Sequence, residues 1–586
     1  MSLKLNEALK LAQASSPGAA QRRAFLACGF EPLHLPVFLR AHHELRFPAQ
    51  GLEVSTGVYG DLPGNLERAR QSPASTCFVL IEWHDLDPRL GVRSTGPWSR
   101  LRQAEIAREV AQRLERLRQG LERLSGQMQV VLAPPSIEFG LSADTTGWQA
   151  SSFELELQLL LSQFLASVAG DARRKVLHAA RLAARSPAAS RADARMELLA
   201  GFPYSLEHAS QVAEALVWLA YPDPPKKGLI TDLDETLWAG IVGELGADGV
   251  KWSLGDKAQL HGLYQSVLRQ LHEAGVLLGV ASKNDPEVVA AALARSDLHL
   301  DRDVFFPVAA SWGPKSDAVS AILRAWNIAA DAVVVVDDSR MELEEIRRQH
   351  PGITCLEFRP RDVSATLELL GQLRDVFGKP SVNEEDRLRS ASIRGLAQFE
   401  EQKQASDLGS FLAGLAGEVS VQSAKQGADG RVLELINKTN QFNLNGGRVE
   451  AGAWQRFLAR DDSFVLGVSY GDRFGPLGTI GVVAGTRANG LLHVEHWVLS
   501  CRAFSRRIED HMLQVLFEGQ EQVSLAFRRT ERNQPFREFL ARLGLAEQQG
   551  GGELARALVL GREQLARVSA DLPHRVLKRS DGVSDG

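Results

Sequence analysis

A chain of several α/β domains is what this sequence predicts, and three observations carry the prediction. Apolar runs of strand length recur from Phe25 to Val336, and segments of helical period lie between them. That alternation builds sheets with helices packed on their faces. Two of the runs end in paired carboxylates, at Asp232 with Asp234 and at Asp337 with Asp338, where open α/β sheets bind ligands. A length of 586 residues with 44% apolar content suffices for three or four domains. Breaks in the patterning place these at 1–223, 224–380 and 419–575, with a helical connector over 381–418 and a disordered tail at 576–586.

Residues 1–23 read as an amphipathic helix, followed by a strand at Phe25 to Phe30 and a helix at Leu35 to His43. Gly51 to Tyr59 and Cys77 to Trp83 are further strands. A helix from Arg100 to Leu124, its arginines on a solvated face, leads to a strand at Met128 to Leu132 that stops at Ala133-Pro134-Pro135. Ser152 to Ala169 and Ala172 to Ala184 are helical, and another helix ends at Leu219. His84 beside Asp85 and Asp87 is read either as a metal or base cluster or as a polar turn after a strand.

After Pro224-Pro225-Lys226-Lys227, the run from Gly228 predicts a buried parallel strand with Asp232 and Asp234 at its C-terminal end and Thr236 two further on. Leu277 to Ser282 is a second strand, ending in a hydroxyl. Lys315 opens a helix after Gly313-Pro314, and Val333 to Asp338 is a strand ending in two acids. The order and spacing of these four stretches resemble the four motifs of the haloacid dehalogenase (HAD) superfamily. Phosphoryl transfer explains the residue types, because it needs an in-line nucleophile, neutralised equatorial oxygens and a proton for the leaving group.

On that resemblance Asp232 is the nucleophile and Asp234 the acid and then the base. Ser282 and Lys315 contact the phosphoryl oxygens. Asp232, the Asp234 carbonyl and Asp337 surround Mg²⁺, with Asp338 behind them. Thr236, Lys283 and Asn284 are candidate substrate contacts. The intervals between motifs leave room only for sheet elements and a short flap around Ala239 to Trp252, so the site is expected to lack a cap and to suit a macromolecule-borne substrate or closure by another domain. Glu342, Glu344 and Glu345 beside Arg347 and Arg348 read as a salt-bridged solvent face.

In the third region a helix over Leu433 to Leu444 runs into a turn. Strands at Phe464 to Tyr470, Gly478 to Ala484 and Leu491 to Leu499 precede a helix from Ser505 to Phe517, a strand at Val523 to Phe527 and a final helix. This order resembles the N-acetyltransferase-like (GNAT) fold. VYGDLPGNL from Val58 and IEWHDLDPRLGVR from Ile81 resemble the SGNH-hydrolase-like domain that precedes HAD domains in FkbH-type proteins. Cys28-Gly29-Phe30 stands where the hydrolases carry Gly-Asp-Ser, and Ser205 replaces the acid of the block that ends at His208, so a non-catalytic domain is implied.

Asp232-Leu-Asp-Glu-Thr-Leu-Trp with Ala239-Gly-Ile-Val-Gly-Glu244, Ser282-Lys-Asn-Asp285, Asn437-Lys-Thr-Asn-Gln-Phe-Asn443, Asp472-Arg-Phe-Gly475 and Leu499-Ser-Cys-Arg502 make the whole chain resemble the FkbH-like proteins. The resemblance implies dephosphorylation of D-1,3-bisphosphoglycerate and transfer of the glyceryl group to the phosphopantetheine thiol of an acyl carrier protein, for polyketide-type synthesis. It makes Mg²⁺ the cofactor, and a phosphorylated glycerate donor and a carrier protein the partners. Cys501 either carries the glyceryl group as a thioester, its pKa lowered by a helix N-terminus and Arg502, or leaves attack to the carrier thiol. Asn437, Asn440 and Asn443 either bind the substrate or cap their own segment. The glycines that the family has after Cys-Arg are replaced by Arg502-Ala-Phe-Ser505-Arg506-Arg507.

Cys28, Cys77, Cys355 and Cys501 lack metal-ligand or disulfide spacing. A net charge of −5 offers no general field for nucleic acid, and no apolar run of about 18 residues suggests a membrane span. The expected compartment is the cytoplasm, without nucleic-acid or membrane partners.

Overall fold

In the first unit, five parallel strands line up as β2-β1-β3-β4-β5: β1 (Ala20–Ala27), β2 (Gln50–Thr56), β3 (Thr76–Leu80), β4 (Gln129–Ala133) and β5 (Arg174–Val176). The computed structural model describes residues 2–13, 20–48, 50–94, 100–138, 148–171, 173–379, 382, 386, 393–395, 412–425, 430–488, 490–545, 556–568 and 572–579. Contacts divide the chain into two units, residues 1–223 with 450–456 and residues 224–449 with 457–586. Most of the connector predicted over 381–418 lies outside the described residues.

Both faces of the first sheet are buried, as a parallel sheet requires. Phe25, Cys77, Val79, Val130 and Leu132 enter one core, while their neighbours Ala24, Leu26, Phe78, Leu80 and Val131 enter the other. The helix predicted over 1–23 is corrected: it spans Leu5–Gln13, and β1 starts at Ala20. The charge at Arg22 belongs in the strand because its guanidinium lies 4.5 Å from the rings of both Phe47 and Tyr221. The helix expected over Ala172 to Ala184 is also corrected, to strand β5 and a helix at Ala179–Arg185.

The second unit holds two sheets. The first of them is built from β6 (Gly228–Thr231), β7 (Leu277–Ser282), β8 (Phe305–Ala310), β9 (Val333–Asp337) and β10 (Thr354–Glu357), all parallel and ordered β10-β9-β6-β7-β8. Strand order reverses between β6 and β9, so their carboxyl ends open a crevice at a topological switch point. Gly228 and Gly279 accept the indole of Trp326 against the sheet: a Cβ at either would lie within 3 Å of the ring, at 2.5 and 2.9 Å. Trp326 is fully buried and its Nε1 donates to the Phe306 carbonyl at 2.6 Å.

The other sheet runs β17-β16-β15-β14-β13-β11-β18, with the short β12 pairing β15. Its strands are β11 (Gly417–Ser423), β12 (Phe442–Asn443), β13 (Ser463–Asp472), β14 (Gly475–Ala488), β15 (Leu491–Leu499), β16 (Gln522–Phe527), β17 (Arg556–Gly561) and β18 (His574–Arg579). β13, β14 and β15 form the expected antiparallel meander, and the helix Ile508–Leu516 crosses to β16, which is parallel to β15. The disordered tail expected from 576 is corrected at its start, since β18 pairs in parallel with β11. Among the described residues no helix is long and apolar enough to cross a membrane.

Candidate active site

Asp232 follows β6 directly, and its backbone N–H continues the sheet by donating to the Val336 carbonyl at 2.9 Å. The pairing sets Asp232 beside Asp337, the last residue of β9. Lys315, at the first position of the helix Lys315–Trp326, places its ammonium between them, 3.0 Å from Asp232 Oδ1 and 2.5 Å from Asp337 Oδ2. A third carboxylate, Glu342 Oε2, lies 2.5 Å from the same nitrogen. An ammonium has three donors, and each of these meets a carboxylate.

Asp234 turns the other way. Its Oδ1 accepts from Trp238 Nε1 at 2.9 Å and from the Val242 N–H at 3.0 Å, and its Oδ2 accepts from Asn284 at 2.9 Å. The Val242–Leu245 turn of the flap therefore fixes the orientation of Asp234. Asn284 also donates to Ser282 Oγ at 3.0 Å, which joins the end of β7 to the same cluster. Thr236 is fully buried and contacts Asp338 Oδ1 at 3.5 Å. Lys283 pairs with Glu342 Oε1 at 2.9 Å.

Carboxylate oxygens of Asp232, Asp337 and Asp338 lie within 4.8 Å of one another. Asp338, expected behind the other acids, thus belongs to the same carboxylate cluster, while the Asp234 side chain does not. Burial pushes the Asp232 carboxyl up to about 7, with Asp337 adding to the rise and Lys315 opposing it. Burial also raises Asp337, and it raises Asp338 to about 6 with help from the Asp337 charge. Buried, mutually repelling oxygen donors fit a hard divalent cation, whose charge offsets both effects. Burial alone would lower Lys315, yet the charges of Asp232 and Asp337 hold it above its ordinary value, so it stays an ammonium.

Glu342 is the functional residue that sequence reasoning misplaced. The sequence groups it with a solvent face, but it sits in the first turn of the helix Arg340–Gln349, capped by Ser339, and bridges Lys315 and Lys283. Its neighbours divide: Glu345 accepts from Ser316 Oγ at 2.7 Å, and Glu344 pairs with Arg347. The signal was its position four residues after Asp338, which turns a first-turn side chain back toward the strand end.

The other candidates are not gathered at this centre. Cys501 opens a 3-10 turn, Cys501–Ala503, after the end of β15, and the helix expected from Ser505 starts at Ile508. The expected fall in its pKa is corrected: burial pushes the thiol up, while Arg502 and Lys227 pull the other way. Arg502 Nε lies 3.4 Å from Ser500 Oγ. Asn437 exchanges hydrogen bonds with the N–H and carbonyl of Val449, both at 2.8 Å, and Asn440 accepts from Arg448. Asn443 Oδ1 accepts from the N–H of Asn445 and of Gly446. All three side chains bond within their own loop.

In the first unit, Ser205 caps the helix Leu206–Ala220 by accepting from the His208 N–H. His208 is held between Ser136 Oγ and Ser186 Oγ, each at 2.8 Å. Glu82 accepts from Ser136 Oγ and Tyr204 OH, also at 2.8 Å. Glu82 and Asp85 form a capping box around the short helix Trp83–Leu86, and Asp87 caps the turn that follows, so the polar-turn reading of His84 to Asp87 holds.

A large part of the chain shares its fold with a solved protein. The N-terminal part of BF1531 from Bacteroides fragilis, described as containing a phosphatase domain complexed with Mg, matches at 20% identity with a TM-score of 0.50, covering 65% of this chain and 100% of that one. A putative HAD-like phosphatase from Mesorhizobium loti aligns over 27% of this chain and 90% of its own, at 14% identity and a TM-score of 0.22. An uncharacterized protein from Corynebacterium glutamicum aligns over 26% of this chain and 98% of its own, at 19% identity and a TM-score of 0.19. No protein-family model and no curated protein matches the chain.

Proposed function

We propose that the chain is a Mg²⁺-dependent HAD-type phosphatase whose reaction is coupled to glyceryl transfer onto a carrier-protein thiol. The observation that carries the phosphatase half is the Lys315 ammonium set between Asp232 and Asp337 at the switch point of the sheet. A carboxylate nucleophile, a fixed cation and further carboxylates for a metal are the parts that in-line phosphoryl transfer requires. The Bacteroides fragilis protein, described as complexed with Mg, supports the same cofactor.

Asp232 attacks phosphorus, forming an aspartyl-phosphate as the bond to the leaving oxygen breaks. Asp234, oriented by Trp238, Val242 and Asn284, gives that oxygen its proton. In the second half Asp234 takes a proton from water, which attacks phosphorus and frees Asp232 and phosphate. Asp232, Asp337 and Asp338 would hold Mg²⁺, which supplies positive charge to the phosphoryl oxygens.

The transfer half rests on the FkbH-like strings of the sequence, and Cys501 is its candidate thiol. Burial disfavours the thiolate, so direct attack by the carrier thiol is the better supported route. Intact-mass spectrometry of a phosphopantetheine-bearing carrier, incubated with enzyme, Mg²⁺ and a 1,3-bisphosphoglycerate source, tests it. A glyceryl adduct that persists with Cys501→Ala is expected. Phosphate release without an adduct would leave a phosphatase of another substrate.

A further inference from the structure

One βα unit reaches both carboxylate oxygens of Asp234, by two different routes. β7 runs through Asn284, whose amide meets Oδ2 at 2.9 Å, into the helix Pro286–Leu293, and Arg295 follows two residues after that helix ends. Arg295 turns to the flap, where its Nη1 donates to the carbonyls of Ala247 and Val250 at 2.8 and 2.9 Å. Its Nε and Nη2 grip the Asp297 carboxylate at 3.0 and 2.7 Å, and its guanidinium lies 4.2 Å from the centre of the Trp252 ring. A planar fork held by a carboxylate on one side and an indole on its face fixes the two carbonyls that it meets. From there the flap's own hydrogen bonds lead to the acid. Gly249 donates to the Gly246 carbonyl at 3.1 Å, Gly246 to the Val242 carbonyl at 2.9 Å, and the Val242 N–H to Asp234 Oδ1 at 3.0 Å. Val242 and Val250 are buried, but Gly243 to Gly246 between them are exposed, so no core packs the stretch that joins the two.

We infer that Arg295 is a positioning residue for the acid Asp234: it fixes the returning limb of the flap and, through it, the Val242 N–H that aims Asp234 at the leaving oxygen. The inference rests on the phosphatase reading above and adds a residue outside its four sequence stretches. Among the described residues Arg295 bonds to the flap and Asp297 and stacks on Trp252, so it acts on Asp234 only through the flap. Without it, Asp234 keeps the Trp238 and Asn284 donors but loses the fixed third one. A carboxyl held by fewer bonds stays in the site and points less accurately, and proton transfer is sensitive to displacements of about 1 Å.

The test is phosphate release by the full chain with Mg²⁺ from phenyl phosphate and p-nitrophenyl phosphate. The two esters are alike in shape, but phenolate needs a proton as it leaves and p-nitrophenolate departs as a stable anion. Arg295→Gln is expected to lower kcat about 10- to 100-fold on phenyl phosphate and by no more than about threefold on p-nitrophenyl phosphate. Val242→Pro removes the hydrogen bond to Asp234 without touching Arg295, at the first helical position, where the φ of proline fits. It is expected to show the same split, and the double variant to lose no more than either alone, because both act on one bond. Equal losses on the two esters would mean that Arg295 only stabilises the fold, and would overturn the inference. Full activity of Arg295→Gln on both esters, or losses that multiply in the double variant, would overturn it as well. So would a wild type that cleaves p-nitrophenyl phosphate alone, since it has no working acid to position. If wild type releases no more phosphate than Asp232→Asn from either ester, the phosphatase reading fails and the inference falls with it.

Discussion

Glu342 is held by two lysines through separate oxygens, and this makes it the joint between the buried and exposed cations of the site. Burial opposes its ionisation, yet bonds from Lys315 and then Lys283 keep its carboxyl below the usual range. Glu342→Gln keeps the shape and removes the charge that fixes Lys315. Loss of a group that orients a catalytic side chain costs about 10- to 100-fold in activity, so kcat for phosphate release is expected to fall by that much with a smaller change in KM. An unchanged kcat would contradict the role. All four stretches that meet at the site are legible in the sequence, those of Asp232, Ser282 and Asp337 because each ends a strand in a polar residue and that of Lys315 because it opens a helix after Gly313-Pro314. Glu342 is not, since Glu342, Glu344 and Glu345 look alike in sequence and only the first-turn geometry separates them.

At the scale of elements, apolar runs fixed the strands best: β7 and β15 occupy the residues predicted for them, because a buried strand has a sharp compositional edge. The sequence reads as disordered tail from Val576, inside β18 (HRVLKR), because the polar residues there hide a strand whose pairing with β11 is long-range. The loop at Arg502 to Arg507 shows another limit. Ser505 and Arg507 adopt φ of 65° and 60°, the left-handed region that favours glycine, at two positions that carry side chains. The buried pair of Arg506 with Asp472 at 2.9 Å, and a bond from Arg506 to the Arg502 carbonyl, hold that shape. In the first sheet, burial pushes Glu82, at the end of β3, up to about 7 despite four donors from Tyr204, Ser136 and Ile137. A carboxyl raised on folding stabilises fully below its unfolded pKa and loses that contribution as pH rises through about 7. His208, lowered to about 3 by burial, acts with the opposite sign below its unfolded pKa and is common to wild type and variant. Relative to Glu82→Gln, wild type is therefore expected to lose on the order of 2 kcal/mol between pH 5 and 8. Hydrogen-exchange protection of β3 and β4 measures this, and a difference independent of pH would contradict it.

For the whole molecule, alternation of strand and helix was enough to predict α/β domains, and the order of acids, hydroxyl and lysine was enough to predict the crevice between β6 and β9. What composition could not supply was the partition of residues between chemistry and packing. Asn437, Asn440 and Asn443 close a loop, His208 serves a buried network, and Asp338 joins the carboxylate cluster. Each depends on contacts made by residues far apart in the chain. The proposed activity makes Asp232 the nucleophile of a metal-dependent phosphatase. The most direct measurement is phosphate release from p-nitrophenyl phosphate by the full chain, with Mg²⁺ and with chelator, for wild type and Asp232→Asn. Release by wild type that needs Mg²⁺ and falls by about 10³-fold or more in the variant is predicted, the scale expected when a covalent nucleophile is lost. Release of equal rate from Asp232→Asn would contradict it.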